Sequence, residues 1–359
     1  MQHALKRILL VRADRLGDVL LTLPMLPFLR RTYPQAALLM LLRHYTGEIV
    51  EGNKFVDGLL WYDENGSLVP FLAMLSILRR EKPDAVVVVH PTFRLALLMW
   101  LAGVPLRIGT GYRFYSFLFN RRVYEHRKDA HRHELEYNLQ LLKEVGCDAP
   151  DAMQNPEFGI EISPEAETAA RAILSQAGIE TGMGFVVVHP CSGGSAREWS
   201  LDNFGALAKF LIERNNLSVV VTGGTGEQAA AEAVVRATGG RAISLSGKLG
   251  LKELAALLRS ARLFVSNSTG PLHLAVAVGT PVLAFYPQIT SMSARRWGPY
   301  TQMKRVLVPE RPADCKKCSD GKGEPCECMN SISTQQAYAA ACEVLIESGR
   351  RAGRLVTHG

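Results

Sequence analysis

Three strand-to-helix loops in the 359-residue chain carry side chains suited to chemistry on an anionic ligand. "HPCSGGSAREWS" sets Ser192, Gly193, Gly194 and Ser195, small residues able to present backbone N–H groups, ahead of Arg197 and a helix expected near Asp202. Convergent N–H donors, a helix amino terminus and a bidentate guanidinium outline a phosphate site. A plain turn with a surface arginine would use the same residues, so both readings stay open. "SNSTGPLHL" repeats the theme: Ser268, Thr269 and Gly270 end a strand, Pro271 suits the first helical position, and His273 falls in the first turn. Thr269 and Gly270 can offer amides to a diphosphate, while His273 either packs inside, faces a ligand or braces the loop. In "VVVTGGTGEQ", Gly223 and its neighbours lead to Glu227 at a helix start, where a carboxylate complements the dipole or accepts from ribose hydroxyls. The glycines there lack the G-x-G-x-x-G spacing, which weighs against a dinucleotide site.

A fourth loop differs in sign. "RADRLGDVLLTLP", residues 12–24, leaves an apolar run at 8–11 and reaches the pair Gly17-Asp18 just as an apolar helix begins. A carboxylate there is a helix cap or an acid–base group, and the loop alone does not separate the two. Gly17 would let the backbone turn tightly or approach a ligand.

Positioning these loops requires alternating strands and helices. The patterning predicts strands at 7–11, 37–42, 58–61 and 85–89 with helices at 18–31, 68–80 and 93–102. A proline-bearing stretch at 147–165 interrupts the series and reads as a linker. A second series follows, with strands at 185–189, 218–222, 242–245, 263–266 and 282–285 and helices at 164–177, 202–214, 226–237, 251–260 and 271–278. The expected fold class is α/β, two doubly wound parallel sheets whose strand-to-helix loops face a central cleft. Domains are drawn at 1–155 and 156–335, with a helix at 336–359 expected to pack back toward the first.

Hydrophobic residues at 47% and charged residues at 21% describe a globular protein, not a disordered one. The chain opens with MQHALKR and no apolar leader, and its most apolar helical stretch, 95–106, is shorter than the roughly 20 residues a bilayer requires. A cytosolic enzyme is expected. The net charge of +7 is uneven, since Arg113, Arg121, Arg122, Arg127, Lys128 and Arg132 are interleaved with Tyr112, Phe114, Tyr115, Phe117, Phe119 and Tyr124. Such a segment is a solvated loop or a surface for an anionic partner. Without a nucleic-acid motif, a phosphorylated glycolipid ranks above nucleic acid.

Taken together, the motifs resemble glycosyltransferase family 9, the ADP-heptose:lipopolysaccharide heptosyltransferases. "ILLVRADRLGDVLLTLPMLPFLRRTYP" is similar to the family's amino-terminal signature, "HPCSGGSAREWS" to its first donor loop and "SNSTGPLHLAVAVGTPVLAFYP" to its second. The resemblance covers nearly the whole chain and implies a two-domain GT-B fold and an inverting transfer without an essential metal. It implies Asp18 as general base on the acceptor-binding domain; Gly17 beside it, and Arg121 and Arg122 of the basic and aromatic segment, are expected toward the acceptor. Ser192, Gly193, Gly194, Arg197, Gly223, Glu227, Ser268, Thr269, Gly270 and His273 would hold the donor, ADP-heptose first among candidates. The diphosphate would be neutralised by Arg197 and the Thr269-Gly270 amides, because no D-x-D pair lies near a strand end. Ser268 departs from the acidic residue frequent at its position, and a serine holds sugar hydroxyls less firmly. The implied partner is an anionic glycolipid at the cytoplasmic face of the inner membrane.

Cys315, Cys318, Cys326 and Cys328 crowd into "CKKCSDGKGEPCEC", a spacing open to structural zinc, reduced thiols or disulfides, with zinc ahead in a reducing compartment. Any such metal is expected to be structural, and no cofactor is expected for catalysis. Two other readings compete: a nucleotide-binding module without turnover, and a nicotinamide-dependent oxidoreductase. Asp18 argues against the first and the missing glycine fingerprint against the second. A transferase of the same family using a different nucleotide-sugar is the nearer alternative.

Overall fold

The computed structural model describes residues 5–179, 184–310 and 327–356, which divide into two compact units, 1–127 with 132–161 and 128–131 with 162–359. In the first, strands β1 (Arg7–Val11), β2 (Ala37–Leu42), β3 (Gly58–Trp61), β6 (Ala85–Val88), β7 (Leu106–Thr110) and β8 (Arg121–Val123) form a parallel sheet of order β3-β2-β1-β6-β7-β8. The short strands β4 (Asp63–Glu64) and β5 (Ser67–Leu68) form a separate antiparallel pair. Strands β1, β2 and β6 are almost entirely Leu, Ile, Val, Met and Ala, because a parallel sheet is covered on both faces. A single helical turn, α3 (His44–Gly47), follows β2, and one covering layer joins Leu9, Val11, Val86 and Val88 to Met74 and Leu78 of helix α4 (Phe71–Glu81) and to Leu95 and Met99 of α5 (Phe93–Leu101).

The single helix expected at 18–31 is instead three pieces: α1 (Leu16–Leu20), a 3-10 turn (Leu23–Met25) and α2 (Leu26–Thr32). Pro24 and Pro27 explain the breaks, since each removes an N–H and its ring crowds the preceding turn. Part of the basic and aromatic segment expected as loop is the edge strand β8, which pairs Ile108 with Arg121 and Gly109 with Arg122. Helix α6 (Glu134–Gln140), closed at its start by the His133–Glu136 capping box, was also without a periodic signal.

The second unit repeats the plan with β9 (Phe185–His189), β10 (Ser218–Val221), β11 (Ile243–Ser244), β12 (Leu263–Asn267), β13 (Val282–Phe285) and β14 (Lys304–Leu307) in the order β11-β10-β9-β12-β13-β14. Helices α7 (Pro164–Gln176), α8 (Leu201–Asn215), α9 (Gln228–Ala237), α10 (Leu251–Ser260), α11 (Gly270–Ala277), α12 (Ala294–Trp297) and α13 (Thr334–Val356) complete it. Helix α13 adds Ala337, Ala341, Val344 and Leu345 to this unit's core beside Leu207, Leu211 and Phe285. Cys315, Cys318 and Cys326 lie outside the described residues, so the zinc expectation is not placed; Cys328 is half-buried against the same core.

Candidate active site

Each sheet has a point where consecutive connections diverge, and in each the chemistry-bearing loops leave from there. In the first unit it lies between β1 and β6. The residue after β1 is Arg12, only 2% exposed, and its guanidinium gathers three carboxylates. Nε is 2.7 Å from Asp14, Nη2 donates to Asp18 Oδ1, and Nη1 is 3.7 Å from Glu134 at the start of α6. Arg127 also donates to Glu134 and, at 3.0 Å, to Asn138. From the end of β6, His90 brings Nδ1 to 3.3 Å from Asp14 Oδ2.

These contacts decide what Asp18 is. The cap position of α1 belongs to Arg15 and makes no side-chain bond, while the Asp18 carboxylate turns back to Arg12. It is therefore not a helix cap. Burial pushes its carboxyl up to about 6, with Asp14 and Glu134 adding to the rise and Arg12 opposing it. An aspartate near 6 is ionised at neutral pH yet basic enough to take a proton. Gly17 is helical, so the tight turn expected of it is absent; it is buried within α1 beside Asp18.

In the second unit the divergence lies between β9 and β12, and the two expected donor loops follow those strands. They are tied together: Ser195 Oγ donates to the Ser268 carbonyl at 2.9 Å, and Asn267 accepts from Trp199 N at 2.9 Å while donating to Pro190 O at 2.6 Å. Gly193 and Gly194 adopt φ of +56° and +73°, a backbone that strongly favours glycine. The amide of Ser192, expected for phosphate, instead donates to Glu198 at 2.6 Å, and that of Ser195 donates to Ser192 O. Among the described residues, the amides of Gly193 and Gly194 make no such internal bond, so the loop can offer these two. Arg197 is half-buried beside them.

Thr269 caps α11 and Gly270 is its first residue, with Pro271 second; first-turn N–H groups lack partners within any helix. His273 is 4% exposed and sits inside that turn, which favours packing over an open ligand position. Glu227 accepts from the Gly224 amide at 2.7 Å and lies 3.9 Å from His189 Nε2, so it fastens the glycine turn, while at the cap position of α9 its side chain makes no capping bond. Burial holds His189 down to about 4, with Glu227 opposing, and the ring is neutral. A Cβ on Gly223 would come within 2.7 Å of Ser246 Oγ, which explains the glycine.

Arg121 and Arg122 are exposed on β8, the sheet's edge. Adjacent strand residues face opposite sides, and β8 is three strands from β1, roughly 14 Å at the usual strand spacing. The structure thus does not bring them to Asp18. Sequence reasoning missed Arg12, His90, Glu134, Glu198 and Asn267. Arg12, Glu198 and Asn267 lay in quoted motifs, but nothing local marks an arginine as buried or a distant glutamate as its partner.

Known proteins share this two-unit architecture. The profile of glycosyltransferase family 9 (heptosyltransferase) matches residues 72–324. Lipopolysaccharide heptosyltransferase 3 of Escherichia coli is 26% identical over 290 residues, 78% of this chain and 83% of its own. Among solved structures, a family 9 glycosyl transferase from Veillonella parvula superposes with a TM-score of 0.81 at 23% identity, covering 97% of this chain and 99% of that one. The ADP-heptose LPS heptosyltransferase II of E. coli gives 0.77 at 20% identity, covering 96% and 99%. The two Rossmann-like units are those of the GT-B fold, and the chain belongs to glycosyltransferase family 9, the heptosyltransferases.

Proposed function

We propose that this glycosyltransferase moves a heptose from ADP-heptose to a sugar hydroxyl of a lipopolysaccharide core, with inversion and with Asp18 as general base. The observation that carries the reading is the Asp18 carboxylate, freed from capping at the carboxyl end of β1 and raised to about 6. The acceptor hydroxyl gives its proton to Asp18 as its oxygen attacks the anomeric carbon; the carbon–oxygen bond to the diphosphate breaks and ADP leaves with the electron pair. The Gly193 and Gly194 amides, Arg197 and the α11 amino terminus with Thr269 and Gly270 hold the departing phosphates, without a catalytic metal. Glu227, Ser268 and the Gly223 turn serve the ribose and sugar side. The relative named for ADP-heptose supports this donor.

The acceptor is an anionic glycolipid, met at a membrane surface. Among the described residues, nine of the eleven strongly exposed large hydrophobics belong to the first unit: Tyr45, Leu68, Leu72, Phe93, Trp100, Tyr112, Phe114, Phe117 and Tyr124. Phe93 stacks on Phe114 at 5.7 Å although the latter is 81% exposed, and the exposed Arg113, Arg121 and Arg122 belong to the same segment. Aromatic rings with arginines suit an anionic lipid interface. No helix among the described residues is long and apolar enough to cross a membrane.

Asp18→Asn tests the assignment. Turnover of ADP-heptose on a core acceptor should fall at least about a hundredfold, with calorimetric ADP affinity unchanged. Wild-type turnover would remove Asp18 as base, and a preference for UDP or GDP over ADP would replace the donor.

A further inference from the structure

We infer that Arg12 is a positioning residue of the transfer reaction: buried beneath the loop, it holds the Asp18 carboxylate at the carboxyl end of the central strand β1, between two other acids. The inference rests on Asp18 being the base. One guanidinium serves Asp14 through Nε, Asp18 through Nη2 and Glu134 through Nη1. Nη1 is buried and makes no hydrogen bond among the described residues, so its 3.7 Å approach to Glu134 is electrostatic. A buried cation is costly unless its partners neutralise it, and here the neutralising groups are also the ones it orders. The planar fork of arginine reaches carboxylates in three directions, which a lysine ammonium on one flexible stem does not.

The surroundings make the cation necessary. Asp18 faces Asp14 and Glu134 as well as Arg12, and three neighbouring carboxylates without it would repel one another into protonation. The remaining groups of the neighbourhood adjust this balance. Arg127 shares Glu134, and His90 flanks Asp14 from β6. From the segment after β2, Arg43 donates to Ala13 O and Tyr45 to Asp14 O, each at 3.0 Å. Burial raises the Tyr45 hydroxyl, with Asp14 and Asp18 adding to the rise and Arg43 and Arg15 opposing it, so charges of both signs surround it. A base must be ionised to work. Arg12 keeps Asp18 on the ionised side at neutral pH and fixes the Oδ1 lone pair, so the other oxygen can take the acceptor proton.

The test follows the Asp18 carboxyl itself, in full-length protein labelled with 13C at the aspartate carboxyl carbons, the Asp18 resonance assigned by its loss in Asp18→Asn. Arg12→Gln should raise the Asp18 midpoint by about 1 to 3 pH units, the range seen when a neighbouring cation is lost. Asp14→Asn should lower it, and Arg12→Lys should return part of the Arg12→Gln shift. With ADP-heptose and lipopolysaccharide core oligosaccharide, the acid limb of kcat should move in the same directions. A folded Arg12→Gln protein titrating like wild type would overturn the inference. Should that variant not fold, unchanged titration in both Asp14→Asn and Arg12→Lys would overturn it equally. Failure of the underlying reading has a different signature: the midpoints move as stated while Asp18→Asn retains turnover.

Discussion

Ser195 and Ser268, 73 residues apart in the chain, are joined by a 2.9 Å hydrogen bond from the hydroxyl of one to the carbonyl of the other. The same hydroxyl lies 2.7 Å from Ser192 O, so its single proton is shared between the carbonyls of both turns of the donor cradle. Ser195→Ala should therefore loosen the cradle without removing a ligand group. ADP affinity should fall about five- to tenfold, near 1 kcal/mol for a neutral hydrogen bond, with thermal stability almost unchanged. Calorimetry beside a melting curve checks this.

Arg197→Ala should weaken ADP far more than adenosine, because only the diphosphate loses a partner. A charge-assisted bond is worth roughly 1.5 to 3 kcal/mol, so ADP affinity should drop at least about tenfold. Equal losses for both ligands would take Arg197 out of the phosphate site.

The Asp18 carboxyl has a pH signature in stability. Its folded value, about 6, lies above its ordinary 3.8, so the folded state binds the proton more tightly than the unfolded one. This group's contribution to stability is full below the ordinary value and is lost as pH rises through 6. Asp18→Asn mimics the protonated form and should be more stable than wild type at pH 8, by on the order of 2 to 3 kcal/mol at most. The gap should close toward pH 4. Urea unfolding at both pH values measures it, and a variant less stable at pH 8 would contradict the sign.

Transfer should persist in EDTA, since protein groups hold the diphosphate in the proposed mechanism. Inhibition by the chelator that added Mg2+ reverses, without loss of fold, would show a metal bridging the donor instead.

Binding to vesicles containing anionic lipid should depend on Phe114 and Phe117, which are 81% and 66% exposed. The double change to Ser should reduce vesicle association several-fold and leave ADP affinity untouched. Changing Arg121 and Arg122 to Ala should flatten the salt dependence, because screening acts over about 8 Å at physiological ionic strength. Unaltered cosedimentation in both variants would leave the segment as solvated surface.

Sequence reasoning recovered the central strands because burial on both faces writes itself as an unbroken apolar run; 7–11, 37–42 and 185–189 coincide with β1, β2 and β9. Arg121–Val123, Lys304–Leu307 and the half-buried Leu106–Thr110 escaped because their mixed residues follow neither period, whereas the edge strands β3 and β11 were legible at 58–61 and 242–245. The donor loops were legible as strand, small residues and helix start. What escaped was long-range: Arg12 reads as a surface charge until Glu134, 122 residues later, is folded against it.

The described residues on either side of the cysteine-bearing stretch are tied to each other and to the first donor loop. Glu310 N donates to Ser331 Oγ at 3.0 Å, and just beyond, the Ile332 carbonyl accepts from the indole of Trp199, which anchors the first donor loop. Residues 310 and 331–332 thus share the footing of the first donor loop, and a shift at Ile332 would reach the nucleotide side through the Trp199 indole.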